Sequence, residues 1–464
     1  MGRLCRRSAI PRAAGPFISR TCRIRWTTGS TTTRTSRAAA CWGWPSSVWS
    51  PPPWSISSFT PCWAWCCRAV RTFRRRTGPS GSPASGPCAD GARPVRLLID
   101  GRYIQDHFPG IGRYVYELVR TLAGLAGSDL EIRLVIDPAA RNTRFDLGEL
   151  ADRVKTVPGP PVFHPAAPAV LARLERRLRP DVVHYTHYFR PWVRGAPSVL
   201  TVHDLIPLDV PESMPSRTAR LVYLVLNWLA VRLSDVVVVP SAATATALKR
   251  RFRGVEPRVI PEGVSPRFRP LPAGAVEGFR QSKALPVVFC HYHGSNKPHK
   301  NLAGLLAAFA RVEDRSAVLV LSGYFDPRLG DPTRLLAAHP LAGRVRYLGP
   351  VPEAELVGLL NAARVFVYPT LAEGFGLPVL EAMACGRPAV TSAGTATAEV
   401  AADAALLVDA RDPAAIAGAI DRLLADPELA REVGRRALAR AAEFTWERTA
   451  AQTLEVYSAA LKLG

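Results

Sequence analysis

Residues 365–392 read "VFVYPTLAEGFGLPVLEAMACGRPAVTS". "VFVYP" (365–369) is a short β-branched and aromatic run, the pattern of a strand buried on both faces. "LAEGFG" (371–376) is the loop that follows it. Pro378 suits the first turn of a helix, where a missing backbone N–H costs nothing. "PVLEAMAC" continues that helix and Gly386 stops it, with Pro388 just beyond. "PAVTS" (388–392) is the next strand. A strand, a helix and a second apolar strand in close succession predict a parallel sheet covered by helices.

The same alternation extends outward. Upstream, strands are expected at 96–100, 132–137, 182–185, 198–203, 236–240 and 258–261, with helices over 111–126, 167–179, 217–233 and 241–252. A Pro/Arg-rich connector, "PEGVSPRFRPLPAG" (261–274), interrupts the pattern. It restarts with strands at 287–290, 317–323, 344–349, 365–369, 388–392 and 405–409. Helices are expected from Asn301, over 353–363 and from Pro378, and the rest is helical. The fold class is therefore α/β, with two Rossmann-like doubly wound domains facing across a cleft and a linker near 262–285.

In sheets of this kind ligands sit beyond the carboxyl ends of the strands. Glu373 lies in such a loop. Glu381, eight residues on, falls in the first turn or so of the next helix, where it can accept hydrogen bonds from sugar hydroxyls. The free N–H groups near Leu377 suit an anion such as a diphosphate. Either glutamate alone reads as a solvated acid. The constellation with Gly374, Gly376 and Pro378 reads as a site.

Composition narrows the function. The chain has 464 residues and a net charge of +22, which suggests a nucleic-acid partner until the charge is located. Residues 1–93 hold 15 arginines, no lysine and one acid, Asp90, leaving only +8 on residues 94–464. The same segment holds seven of the nine cysteines and seven of the ten tryptophans, without periodicity. A transit peptide does not explain the tryptophans and cysteines. A disulfide module does not suit an odd cysteine count. The reading preferred is translation of a GC-rich gene in the wrong frame or from too early a start, with Val95 near the true beginning. The remainder lacks a nucleic-acid-binding module, so no nucleic-acid partner is expected. It retains only Cys290 and Cys385, which suits a reducing cytoplasm.

"EGFGLPVLEAMACGRPAVTS" (373–392) closely resembles the E-x7-E signature of retaining glycosyltransferases of family 4, which have the GT-B fold. "LLIDGRY" (97–103), "GIGRYVYELVRTL" (110–122), "VLTVHDLIPL" (199–208), "VVPSAATATAL" (238–248), "GSNKPHKNLAGLLAAF" (294–309), "VRYLGPVPEAEL" (345–356) and "FTWERTAAQTLEVY" (444–457) are similar to this family in the same order. The resemblance spans about residues 95–463. It implies an extension over 1–94, an N-terminal acceptor domain over 95–268, and a nucleotide-sugar domain over 269–445. A C-terminal helix over 446–464 is then in a position to pack back on the first domain.

The resemblance also implies roles. Glu373 contacts the donor sugar near the reacting centre and Glu381 holds the ribose. The backbone of Phe375, Gly376 and Leu377 meets the sugar and diphosphate. Lys300, in "KPHKN", matches a lysine that neutralises the diphosphate, as a departing nucleoside diphosphate requires. His203, in "VHD", matches a histidine facing the donor sugar. Gly110 and Gly112 let a helix N-terminus approach the donor phosphates or acceptor; the loop fails as a dinucleotide fingerprint, because Val115 stands where its third glycine belongs, and only Asp137 at the end of the second strand still speaks for one. Ser295 follows Gly294 where many relatives have arginine, so Lys297 or His299 is expected to compensate. Glu262 stands where many relatives have asparagine, which puts a nucleotide contact of that turn in doubt.

His184 and His187 lack a third ligand at metal spacing and read as packing or cleft residues. No D-x-D motif occurs, and neither a metal nor any other cofactor is expected. The partners implied are a nucleotide-sugar donor and a glycan or lipid-linked acceptor; "GSNKPHKN" (294–301) resembles mannosyltransferases, which points to GDP-mannose as donor. The runs 170–180 and 220–233 read first as core helices. Their alternative is peripheral contact with a membrane, at the inner face for a cytoplasmic protein. The competing functions are an epimerase or phosphorylase on a similar fold, and a silent binding scaffold.

Overall fold

The computed structural model describes residues 93–463 except 127–128, 210–215, 330–340 and 342. The expectation for residues 1–94 lies, but for its last two residues, outside the described residues.

Seven parallel strands form the first sheet in the order β3-β2-β1-β4-β5-β6-β7. They are β1 (Val95–Asp100), β2 (Leu130–Ile136), β3 (Val154–Pro158), β4 (Val182–Tyr185), β5 (Ser198–Thr201), β6 (Val236–Val239) and β7 (Arg258–Val259). Six parallel strands form the second, in the order β10-β9-β8-β11-β12-β13. These are β8 (Phe289–His293), β9 (Val318–Ser322), β10 (Val345–Tyr347), β11 (Val365–Tyr368), β12 (Ala389–Ser392) and β13 (Leu406–Val408). In each sheet the order reverses once, between β1 and β4 and between β8 and β11. Such switch points open the crevice in which doubly wound sheets bind ligands.

Twelve helices connect the strands among the described residues, besides one short turn of helix at Ile206–Asp209. They are α1 (Pro109–Ala126), α2 (Ala167–Leu178), α3 (Arg217–Leu233), α4 (Ala242–Arg251), α5 (Ala273–Ser282), α6 (Leu302–Phe309), α7 (Glu353–Ala362), α8 (Leu377–Ala384), α9 (Ala396–Ala401), α10 (Pro413–Ala425), α11 (Pro427–Ala441) and α12 (Trp446–Ala460). Their starts follow from capping chemistry. Ser216 accepts from the Ala219 N–H at 3.0 Å and Ser241 from Thr244 N–H at 3.1 Å, which satisfies donors the helix leaves orphaned. Asp412 and Asp426 do the same for α10 and α11, each followed by a proline.

Two cores result. In the second sheet Val365, Phe366, Val367 and Tyr368 are all fully buried, each apolar side chain contributing about 1.5–3 kcal/mol. In the first sheet α1 covers one face and α2, α3 and α4 the other. The last helix, α12, joins the first sheet: Trp446, Leu454 and Tyr457 pack with Val199, Val238 and α1. His184 belongs to this packing, its ring nitrogens 2.7 Å from Tyr457 Oη and 2.8 Å from Thr201 Oγ1.

Four expectations differ from the structure. The connector near 262–285 contains α5, which has no fully buried residue and packs mainly through the partly buried Phe279, too short an apolar stripe to read. β3 was absent from the expected strands because it is an edge strand with three of five residues exposed. β8 runs over 289–293 rather than 287–290. Val287 is 75% exposed, while His291 and His293 both reach the Ser322 hydroxyl at 2.9 Å inside the sheet. Finally, α3 is only half a core helix: Tyr223, Asn227, Ala230 and Val231 face inward, and Leu221, Val225 and Trp228 are exposed.

Candidate functional site

The loops after β8 and β11 flank the switch point of the second sheet, and two of the residues singled out from sequence meet there. Lys300 closes a single 3-10 turn, Pro298–Lys300. Its Nζ donates to Glu373 Oε1 and lies 2.6 Å from Tyr368 Oη, which itself donates to Glu373 Oε1 at 2.7 Å. Both charged side chains are largely buried, at 16% and 11% exposure. The two loops are fixed to each other: the His299 carbonyl accepts from Leu371 N–H at 2.6 Å and from Thr370 Oγ1 at 2.8 Å. Asn301, in the left-handed conformation, donates to the carbonyls of Pro369 and Ala410. The cation and carboxylate are therefore held by backbone, as a preorganised electrostatic site requires.

Lys297 adds a second cation. Burial and the nearby Lys300 lower its pKa, against the opposing pull of Asp204, Asp326 and Glu373. Ser295 lies in the same loop, its carbonyl accepting from Tyr292 Oη at 2.8 Å. Gly376 starts α8 with φ +112°, and no side chain caps that helix. A Cβ at Gly376 would come within 2.7 Å of Thr397 Cγ2, so glycine is needed for space as well as for backbone angle. Leu377 is the first residue of α8. The Phe375 ring is buried against Phe444, centroids 5.9 Å apart, so only its backbone remains for a ligand.

Glu381 belongs to the second turn of α8, not the first, and is 5% exposed rather than a surface acid. Its partner comes from the other sheet. Arg113, one residue beyond Gly112 in α1, places Nη1 3.6 Å from Glu381 Oε1 and Nη2 2.8 Å from Glu353 Oε2. Arg113 also lies over the Phe268 ring at 5.5 Å. Burial pushes the Glu381 carboxyl up to about 7 despite Arg113, with Glu353 and Glu262 adding repulsion. Desolvation thus outweighs the Arg113 ion pair.

The first sheet supplies the facing wall. His203 follows β5; its Nε2 lies 3.1 Å from the Thr186 carbonyl and its Nδ1 3.5 Å from Glu262 Oε1. Both ring nitrogens thus face protein acceptors, and Glu262 is turned toward His203. Gly374 lies directly against this wall: a Cβ there would lie 2.1 Å from the His203 carbonyl oxygen. The Gly374 carbonyl accepts from Ser241 Oγ at 2.6 Å and Thr244 Oγ1 at 3.2 Å. Glu399, of α9, accepts from the Ala242 and Ala243 N–H groups at 2.8 and 2.6 Å, capping α4 across the boundary. Gly112 is buried with its α-carbon face on the Tyr103 carbonyl, while Gly110 is exposed with open space beside it.

The structure thus brings Lys300, Lys297, Glu373, Tyr368 and the start of α8 to one switch point, with His203 on the loop opposite. Glu381 pairs with Arg113 instead, although its charge still acts on Tyr368, and Gly110 is exposed. Arg113 and Glu399 escaped sequence reading. Arg113 sat in plain view in "GIGRY", where the glycines drew attention; Glu399, in "TATAEVA", carries no spacing signal. No group of three or more His, Cys, Asp or Glu residues is arranged for a metal among the described residues.

A pair of parallel doubly wound sheets with such a site at their facing ends is the GT-B architecture of sugar-transferring enzymes. Residues 109–268 match Glycosyltransferase Family 4, and residues 282–440 match Glycosyl transferases group 1. The chain is 30% identical over 390 residues to the O-antigen chain mannosyltransferase B of Escherichia coli, covering 78% of this chain and 99% of that one. It is 32% identical over 406 residues to the D-inositol 3-phosphate glycosyltransferase of Acidothermus cellulolyticus, covering 76% and 86%. The sucrose-phosphate synthase structure from Thermosynechococcus elongatus shares the fold, with TM-score 0.68, 24% identity and coverage of 80% and 100%. The chain belongs to the group 1/family 4 glycosyltransferases of GT-B fold and is a hexosyltransferase.

Proposed function

We propose that the enzyme transfers mannose from a nucleoside-diphosphate sugar to a glycan or lipid-linked acceptor with retention of anomeric configuration, without a metal. The observation that carries this reading is the Lys300–Tyr368–Glu373 contact at the β8/β11 switch point, beside the uncapped start of α8. A diphosphate entering there gives Lys300 an anionic partner, and Lys297 and the α8 amides add positive potential where charge develops on leaving. Glu373 is then placed against the sugar, and Glu381 toward the ribose once Arg113 yields. His203 stands at the sugar from the opposite wall. Same-face attack, with a leaving phosphate oxygen accepting the acceptor proton, accounts for retention without a dedicated nucleophile.

The mannose assignment takes support from the mannosyltransferase relative. The test is a panel of nucleotide-sugars scored by thermal shift and by hydrolysis, followed by anomeric analysis of the product. GDP-mannose is expected to give the largest shift and an α-linked product; an inverted product would overturn the stereochemical reading. In Glu373→Gln, turnover is expected to fall about 100-fold or more, with nucleotide binding nearly unchanged. Full turnover in that variant removes Glu373 from the mechanism.

A further inference from the structure

The outer layer of the first sheet presents an apolar surface that the transfer reaction does not use. At helical spacing, the side of α3 opposite its buried residues carries Leu221, Val225, Trp228 and Arg232, with Val222 alongside. Leu221 is 59% exposed, Val225 45% and Trp228 46%. The outward stripe of a helix on a water-facing sheet is ordinarily polar. The segment between β4 and β5 adds Trp192 and Val193, exposed by 56% and 53%.

These elements are continuous. Arg194 donates to the Arg232 carbonyl at 3.2 Å, which ties the segment to the end of α3. On its other side, a Cβ at Gly195 would come within 2.2 Å of the Glu175 carboxylate of α2. α2 and α3 share one core beneath. The same two helices also expose Arg173, Arg176 and Arg177 of α2 and Arg217 and Arg232 of α3. α3 contains no acid, and the one acid of α2, Glu175, is buried and accepts from Tyr185 Oη.

We propose that this layer docks on an anionic lipid bilayer, with Trp192, Trp228, Leu221 and Val225 in the interfacial region and the arginines against headgroup phosphates. Exposed contiguous apolar surface marks an interaction face, and tryptophan favours the membrane–water boundary. Each arginine near an anionic surface adds about 1 kcal/mol, so even a few set the preference for charged lipid. A second copy of the chain is a poorer occupant, because a two-fold contact would bring these arginine clusters together. The proposal does not depend on the donor sugar or on the roles of Glu373 and Lys300.

The test is co-sedimentation of the full chain with vesicles of phosphatidylglycerol and phosphatidylcholine, or of phosphatidylcholine alone. Two variants are compared with the parent, Trp192→Ala/Trp228→Ala and Arg176→Glu/Arg177→Glu; all three share residues 1–92, so the readout is the difference between them. Binding to the anionic vesicles is expected to weaken tenfold or more in each variant and in high salt. Nucleotide-sugar hydrolysis should stay at the parental rate, which reports that the site is intact. Equal vesicle binding by parent and variants overturns the proposal. So does absence of binding by the parent, or loss of a dimer in the tryptophan variant without any change in vesicle binding.

Discussion

Arg113 reaches from one sheet to the buried carboxylate of the other. Its positive charge opposes the rise that burial imposes on Glu381, so removing it leaves that carboxyl protonated to higher pH. If ionised Glu381 accepts from the ribose hydroxyls, donor KM in the parent should fall as pH rises through about 7. In Arg113→Ala the same fall is expected at higher pH, with kcat at saturating donor little changed. A KM profile that does not move means Arg113 does not act through Glu381. Lys300→Ala removes one partner of a largely buried pair, which typically costs about 3 kcal/mol or more. Its melting temperature should drop along with its activity. Of these residues, Glu373 and Glu381 stood out in a local pattern of glycines, a proline and a helix start, and Lys300 through the family resemblance of "KPHKN". Arg113 was not, because a single ion that finds its partners 240 and 268 residues away leaves no periodic trace in the sequence.

Among the elements, the loops after β5 and β11 decide how closely the sheets approach. Gly374 lies against the His203 carbonyl with no room for a methyl group. Gly374→Ala should push the loops apart, and a displacement of about 1 Å at a reacting centre can cost about 100-fold in rate. Steady-state kinetics and a thermal melt separate this from unfolding; a fully active Gly374→Ala enzyme would show that the approach is dispensable. Most strands were readable because parallel strands buried on both faces are nearly continuous apolar runs. α5 and β3 were not, since neither presents a sustained apolar periodicity: one packs mainly through Phe279 and the other lies at the sheet edge. The outward face of α3 misled in the opposite direction, because a helix apolar on all sides reads as core whether or not anything covers it.

At the scale of the molecule, the two switch points face each other and protein contacts hold them together. Glu399 at the head of α4 is one such contact, and a carboxylate at a partly buried helix N-terminus is worth up to about 2 kcal/mol. Glu399→Ala should accelerate hydrogen exchange at the Ala242 and Ala243 amides and open the molecule in solution scattering. Unchanged exchange at both amides would count against a latch at this position. The return of α12 has a different consequence, one that concerns synthesis rather than catalysis. Trp446, Ala450, Leu454, Val456, Tyr457 and Ala460 of α12 complete a core whose other buried members are encoded before residue 261. The first domain therefore waits, unfinished, while the entire second domain leaves the ribosome. Deleting the last helix would then unfold the beginning of the protein, and the order in which the two halves mature runs opposite to the order in which they are made.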